Sequence, residues 1–197
     1  MSGESPHGHA GSARRILALV SVLLPIAFLI GLLGWAALRV GERRGRIPIN
    51  IRGGEVPIKP RPARDVTLTL FDGRTLRLAD LKGRVLMIDF WASWCPRCRA
   101  EVPLLARVYT EYRSQGVEFV GVAIWDTAEA AEAFLQEHGI TYPNGLDGAG
   151  RIAIDHGVTG IPEKYFVDRR GMIRRKLIGP VSEEVLRRML DDLLAAQ

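Results

Sequence analysis

The chain has 197 residues, 47% of them apolar, with two cysteines and a formal charge of +5. The excess is local: residues 39–64 hold eight basic and two acidic residues, and the stretch beyond is slightly acidic with no basic stripe interleaved with aromatics. That pattern excludes nucleic-acid binding by the folded part, and two cysteines cannot supply a zinc site built on two cysteine pairs.

Residues 1–15 read as a short polar tail, with His7 and His9 in a His-x-His whose plain reading is disordered chain. Ile16 to Leu38 carries no charge. A bilayer core is crossed by about 20 apolar residues in a helix, so 16–38 is expected to be an uncleaved transmembrane anchor. Residues 39–60, basic and rich in Gly and Pro, read as a linker, and 61–197 as the folded domain. Orientation is contested. Arg14 and Arg15 precede the span, whereas Arg39, Arg43, Arg44, Arg46 and Arg52 follow it. Counting arginines keeps the domain in the cytoplasm; a redox motif on a tethered domain favours the other side, where disulfides form. The second argument is preferred.

Within the domain, Val66–Leu70 and Thr75–Leu78 alternate about an Asp72-Gly73 turn, a hairpin signature. Val85–Phe90 is nearly all apolar, as in a central strand covered on both faces. Asp89 is the misfit. It is either a solvent-facing strand end or a buried carboxylate with raised pKa that exchanges protons with a nearby thiol, and the second reading is favoured.

Both cysteines follow at once, in Trp94-Cys95-Pro96-Arg97-Cys98. A Cys-x-x-Cys where a strand meets a helix is a redox element. The helix N-terminus favours a thiolate on Cys95, the attacking form, and Cys98 lies one turn further in, where it can resolve a mixed disulfide. Haem attachment would need His where Arg99 stands, and a two-residue loop makes a poor structural staple. The helix over 96–113 is expected to kink at Pro103 and to bury Val102, Leu105, Val108, Tyr109 and Tyr112. Glu101 is either plain surface charge or an acid above the dithiol that raises thiol pKa; Arg97 and Arg99 act the other way.

Val117–Ile124 reads as a second buried strand, and Trp125 after it as core. A helix follows from 127 to 138, capped by Thr127 and stopped by Gly139. Residues 140–150 read as a loop and 151–156 as a short helix. Gly157-Val158-Thr159-Gly160-Ile161-Pro162 precedes a strand, with Pro162 a candidate cis residue. A hairpin through Arg169-Arg170-Gly171 and a helix capped by Ser182 complete the chain. Strands alternating with helices imply a parallel core.

The stretch Asp89 to Glu101, Pro103 and the Gly-Val-Thr-Gly-Ile-Pro loop together resemble the thioredoxin superfamily, in particular its membrane-anchored TlpA/ResA/DsbE-like thiol–disulfide oxidoreductases. The resemblance implies a thioredoxin-like α/β fold with a central mixed sheet, an N-terminal β-hairpin and a strand–helix insertion. It implies catalytic Cys95 and Cys98 with Asp89 and Glu101 as their acids. Pro162 becomes the cis-proline beside Cys95, with Trp94, Ile161 and Glu163 completing a site to which an extended peptide adds by backbone hydrogen bonds. For Glu163 the plain alternative is an exposed strand start. No cofactor is implied beyond the redox-active disulfide. The partners implied are a disulfide-containing protein such as apocytochrome c and a membrane thiol transporter as electron donor, on the extracytoplasmic (periplasmic) face of the cell membrane. A general extracytoplasmic thiol reductase and a copper-handling module are the alternatives.

Overall fold

The computed structural model describes residues 19, 21, 23–35, 49, 50 and 52–196. The chain divides into two units, Met1–Arg46 and Ile47–Gln197. In the first, residues 23–35 are helical with exposed side chains. Among the described residues no helix is long and apolar enough to cross a membrane. The span expected over 16–38 falls partly, and the tail 1–15 and residues 39–46 wholly, outside the described residues.

The second unit is ordered around two strands without a polar face. Strand β5 (Val85–Trp91) and strand β6 (Val117–Ile124) are buried at every position. They pair in parallel. The remaining strands are β1 (Gly54–Val56), β2 (Arg61–Pro62), β3 (Thr67–Thr69), β4 (Thr75–Arg77), β7 (Asn144–Asp147), β8 (Glu163–Val167) and β9 (Met172–Ile178). A seven-stranded sheet runs β1-β9-β8-β5-β6-β7, with β2 also on β9. It is parallel through β5, β6 and β7, and antiparallel through β8 and β9. The expected hairpin forms a separate pair, β3 with β4.

Four helices cover the sheet: α1 (Pro96–Tyr112), α2 (Ala128–Glu137), α3 (Arg151–His156) and α4 (Glu183–Ala195). Leu86, Ile88, Phe90 and Tyr165 point to one side, where Ala131 and Phe134 of α2 and Ala153 of α3 meet them. Val85, Met87, Phe119 and Phe166 point to the other, against Leu105 and Val108 of α1 and Leu186, Met189 and Leu190 of α4. Each such Val, Leu, Ile, Phe or Met side chain contributes about 1.5–3 kcal/mol on burial. Caps sit where the sequence puts them: Thr127 Oγ1 accepts from Ala130 N, and Ser182 Oγ from Val185 N.

Helix α1 runs over the expected span with Pro103 inside it. Two expectations change. The loop expected over 140–150 contains β7, which extends the parallel sheet along β6. Its signal is hidden because Gly145 stands in the strand, where a Cβ would collide with the Thr69 carbonyl of the hairpin. The stretch 39–60 supplies β1, paired with β9, so the compact unit begins before residue 61.

Candidate active site

Strand β5 delivers the dithiol. Its last residue is Trp91, and a turn closed by Cys95 N donating to Ala92 O, 3.2 Å, leads into α1. Cys95 is the N-cap of that helix: its backbone is extended, and its Sγ accepts from Cys98 N at 3.2 Å. The two cysteines are joined, with Cα atoms 5.3 Å apart. On reduction, the sulfur that already faces the helix N-terminal N–H groups is the one stabilised as thiolate. Both cysteines are buried, Cys95 at 0% exposure.

The loop after β6 grips the segment before Cys95. Asp126 accepts from Ser93 N (2.5 Å) and Ser93 Oγ (3.0 Å), and Trp94 Nε1 donates to Trp125 O at 2.9 Å. Trp125 is not core, as the sequence suggested. It adopts φ +56°, the one left-handed non-glycine among the described residues, and is 40% exposed, as is Trp94. The turn that brings its carbonyl to Trp94 carries its indole outward.

The second half of the site enters along β8. The Ile161–Pro162 bond is cis. Strand β8 is antiparallel to β5 with Phe90 opposite Glu163, so the proline loop and the dithiol lie at the same end of the sheet. Ile161 is fully buried in the cluster that holds Cys95 and Cys98. Glu163 is no exposed strand start: it is 0% exposed. Its Oε1 accepts from Thr159 N (3.0 Å), Thr159 Oγ1 (2.6 Å) and Gly160 N (3.2 Å). Its Oε2 faces Lys176 Nζ at 2.8 Å. It braces the loop from inside, so the side chains of Ile161 and Glu163 are not presented at the surface.

Between β5, β8 and α1 lies a buried group that the sequence showed only in part. Asp89 (2% exposed) and Glu101 (5%) are both buried. They meet at Lys164, at 0% exposure. Lys164 Nζ is 3.0 Å from Asp89 Oδ1, a charge contact that is not aligned as a hydrogen bond. It donates to Glu101 Oε1, while Glu101 Oε2 accepts from Val181 N at 3.1 Å. Burial pushes Glu101 up to about 7; Lys164 opposes the rise and the charge of Asp89 adds to it. Burial works to lower the Lys164 ammonium, but the two carboxylates outweigh it and hold its pKa up. Tyr142, buried near both acids, has its phenol pushed well up, by burial first.

Lys164 is the residue that sequence reasoning missed. The signal was present: a lysine at the head of the apolar run Tyr165-Phe166-Val167 is as misplaced as Asp89 in β5, and the two face each other in the register.

Residues 60–176 match the AhpC/TSA family. The thiol:disulfide interchange protein DsbE of Pseudomonas aeruginosa is 38% identical over 136 residues, 68% of this chain and 73% of that one. The thiol:disulfide interchange protein HelX of Rhodobacter capsulatus is 40% identical over 59% of this chain and 65% of its own. ResA, a thiol-disulfide oxidoreductase of Oceanobacillus iheyensis, is 32% identical over 64% and 66%. The chain thus spans about two thirds of the length of HelX and ResA. Among solved structures, a thioredoxin-family thiol:disulfide interchange protein of Chlorobium tepidum superposes with a TM-score of 0.64 at 30% identity, over 71% of this chain and all of that one. A secreted disulfide oxidoreductase of Mycobacterium tuberculosis gives 0.60 at 26%, over 66% and 96%. The architecture is thioredoxin-like, as the motifs implied.

Proposed function

Because the chain belongs to the AhpC/TSA family, alongside the DsbE- and ResA-type thiol–disulfide oxidoreductases, we propose that it reduces extracytoplasmic protein disulfides, those of apocytochrome c foremost. One observation carries the reading: Cys95 caps α1, joined to Cys98, at the sheet end where the cis-proline loop also lies.

In this reading the cycle begins at Cys95. The Cys95 thiolate attacks one sulfur of a substrate disulfide, the substrate's other sulfur leaves as a thiolate, and a mixed disulfide forms. Cys98 gives up its proton and attacks Cys95 Sγ. The substrate departs as a dithiol and Cys95–Cys98 closes, so two electrons pass to the substrate. Glu101, one helical turn beyond Cys98 and at about 7, is suited to take that proton near neutral pH, with Asp89 beside the same lysine. A membrane thiol transporter returns the electrons.

The uncharged run Ile16–Leu38 supports anchoring of the domain to the cell membrane, and the dithiol supports an extracytoplasmic placement against the arginine count. Trp94, Pro162 and the backbone of Ile161 form the peptide-facing rim in this reading.

The test is a trap. Cys98→Ser is expressed in the native host, quenched with acid, and the partner bound to Cys95 identified. Capture chiefly of apocytochromes bearing Cys-x-x-Cys-His supports the proposal. A broad set, or a copper-site protein, turns the reading to a general or copper-related reductase. No capture refutes Cys95 as the attacking thiolate.

A further inference from the structure

The edge beside the cis-proline is occupied, and by this chain. Ile49 pairs with Ile161 in an isolated parallel bridge. Asn50 N donates to Ile161 O at 2.7 Å, and Asn50 Nδ2 donates to Pro162 O at 3.2 Å. The Ile49 side chain packs on the apolar cluster that contains Cys95, Cys98, Trp91 and Ile161. These are the contacts of an added strand: main-chain hydrogen bonds to an edge and a side chain in a pocket.

The course of the segment is built into the fold. Near the turn that follows β9, two glycines, Gly53 and Gly179, leave no room for a side chain. A Cβ on Gly53 would collide with the Pro180 carbonyl, and one on Gly179 with the Arg52 carbonyl. Gly179 is left-handed at φ +85°, and its N–H donates to Pro162 O at 2.8 Å, the same carbonyl that Asn50 holds. Strand β1 then fixes the following residues along β9.

We propose that Ile49 and Asn50 are an internal occupant of the peptide-docking edge, and that a substrate strand must displace them to reach Cys95. The inference rests on the reading of Cys95 as the reactive sulfur at that edge. It accounts for a reactive sulfur with 0% exposure in the oxidised chain. An incoming peptide competes for one acceptor, Ile161 O, and for the patch under Ile49. Displacement therefore lowers the apparent affinity by the fraction of time that the edge is free.

The test uses the full chain, oxidised, mixed with a reduced Cys-x-x-Cys peptide; the peptide's two thiols close to a disulfide as Cys95–Cys98 is reduced. Asn50→Pro removes both the N–H and the side-chain amide, and Ile49→Asp removes the apolar contact. Each variant should consume peptide thiols about three- to tenfold faster, the effect of losing a net hydrogen bond or an apolar contact from the closed state. Rates equal to wild type overturn the proposal. Hydrogen exchange supplies an independent arm. The Asn50 amide should be protected in the free chain and exchange freely in the mixed disulfide that the Cys95 thiolate of Cys98→Ser forms with the oxidised peptide, whose second sulfur leaves as a thiol. Protection that persists in that adduct, or an Asn50 amide that exchanges like open chain from the start, overturns it. Failure of Cys98→Ser to form any adduct is instead a failure of Cys95 as the attacking sulfur, and the free-chain exchange still decides whether Ile49 and Asn50 hold the edge.

Discussion

Replacing Lys164 by methionine tests the buried charge group directly. The lysine is 0% exposed, and its partners Asp89 and Glu101 are 2% and 5% exposed. Removing one member of a buried ion pair leaves an uncompensated charge and costs about 3–5 kcal/mol. Two carboxylates depend on this one ammonium, so Lys164→Met should lose about 4–5 kcal/mol at pH 8. The loss is pH-dependent with a defined sign. Glu101 stands at about 7 in the folded chain against 4.5 as its ordinary value. Its contribution to stability is therefore complete below 4.5 and is lost as pH rises through about 7. Glu101 is neutral at pH 5 with or without Lys164, which spares the variant part of the penalty there. Urea unfolding of the oxidised chain at pH 5 and pH 8, followed by tryptophan fluorescence, reads both values. A variant within about 1 kcal/mol of wild type at pH 8, or an equal deficit at both pH values, refutes the reasoning. Adding Glu101→Gln to Lys164→Met should restore part of the lost stability, because one of the two stranded charges is then gone.

Two further outcomes are expected. Glu163→Ala strands three donors of the cis-proline loop and should cost about 2–4 kcal/mol in urea unfolding, whereas Glu163→Gln keeps an acceptor oxygen and should cost less. Trp125→Asn should stabilise the chain by about 1 kcal/mol, since asparagine tolerates the left-handed backbone and the bond from Trp94 goes to the main-chain carbonyl of 125, which remains; a lower unfolding midpoint contradicts this.

What the sequence revealed and what it hid divide along range of interaction. The dithiol, the N-cap position of Cys95 and the cis-proline are local: each is set by residues within one turn or loop, so Trp94-Cys95-Pro96 and Gly160-Ile161-Pro162 could be read directly. The two strands buried on both faces were legible because continuous apolar runs have no other use at that length. Asp89 and Glu101 stood out only as anomalies with open alternatives, since what settles them is Lys164, brought in by the register of β8 on β5. Glu163 reads as a strand-start charge until its three donors are seen curling back on it. Strand β7 was hidden because glycine and asparagine in Asn144–Asp147 carry loop statistics, while the constraint that makes it a strand is the close approach of the hairpin at Gly145. Ile49 and Asn50 lie in a stretch whose Gly and Pro content signals a linker, and composition says nothing about where a linker docks.

The alternation of charge at the head of β8 bears on how the sheet finds its alignment. Glu163 and Lys164 are adjacent, so their side chains leave opposite faces of the sheet: one meets Lys176 and the loop donors, the other Asp89 and Glu101. If β8 slid by one residue against β5, the ammonium would turn toward Phe90 and Ile88, and the Glu163 carboxylate toward the layer under α1 and α4. Neither would find its counter-charge, at several kcal/mol for each buried ion. Apolar strands as uniform as β5 tolerate misalignment, because every neighbour is equally greasy. The two opposite charges work like the wards of a lock, admitting one alignment, and that alignment is the one that sets Pro162 at the dithiol end of the sheet.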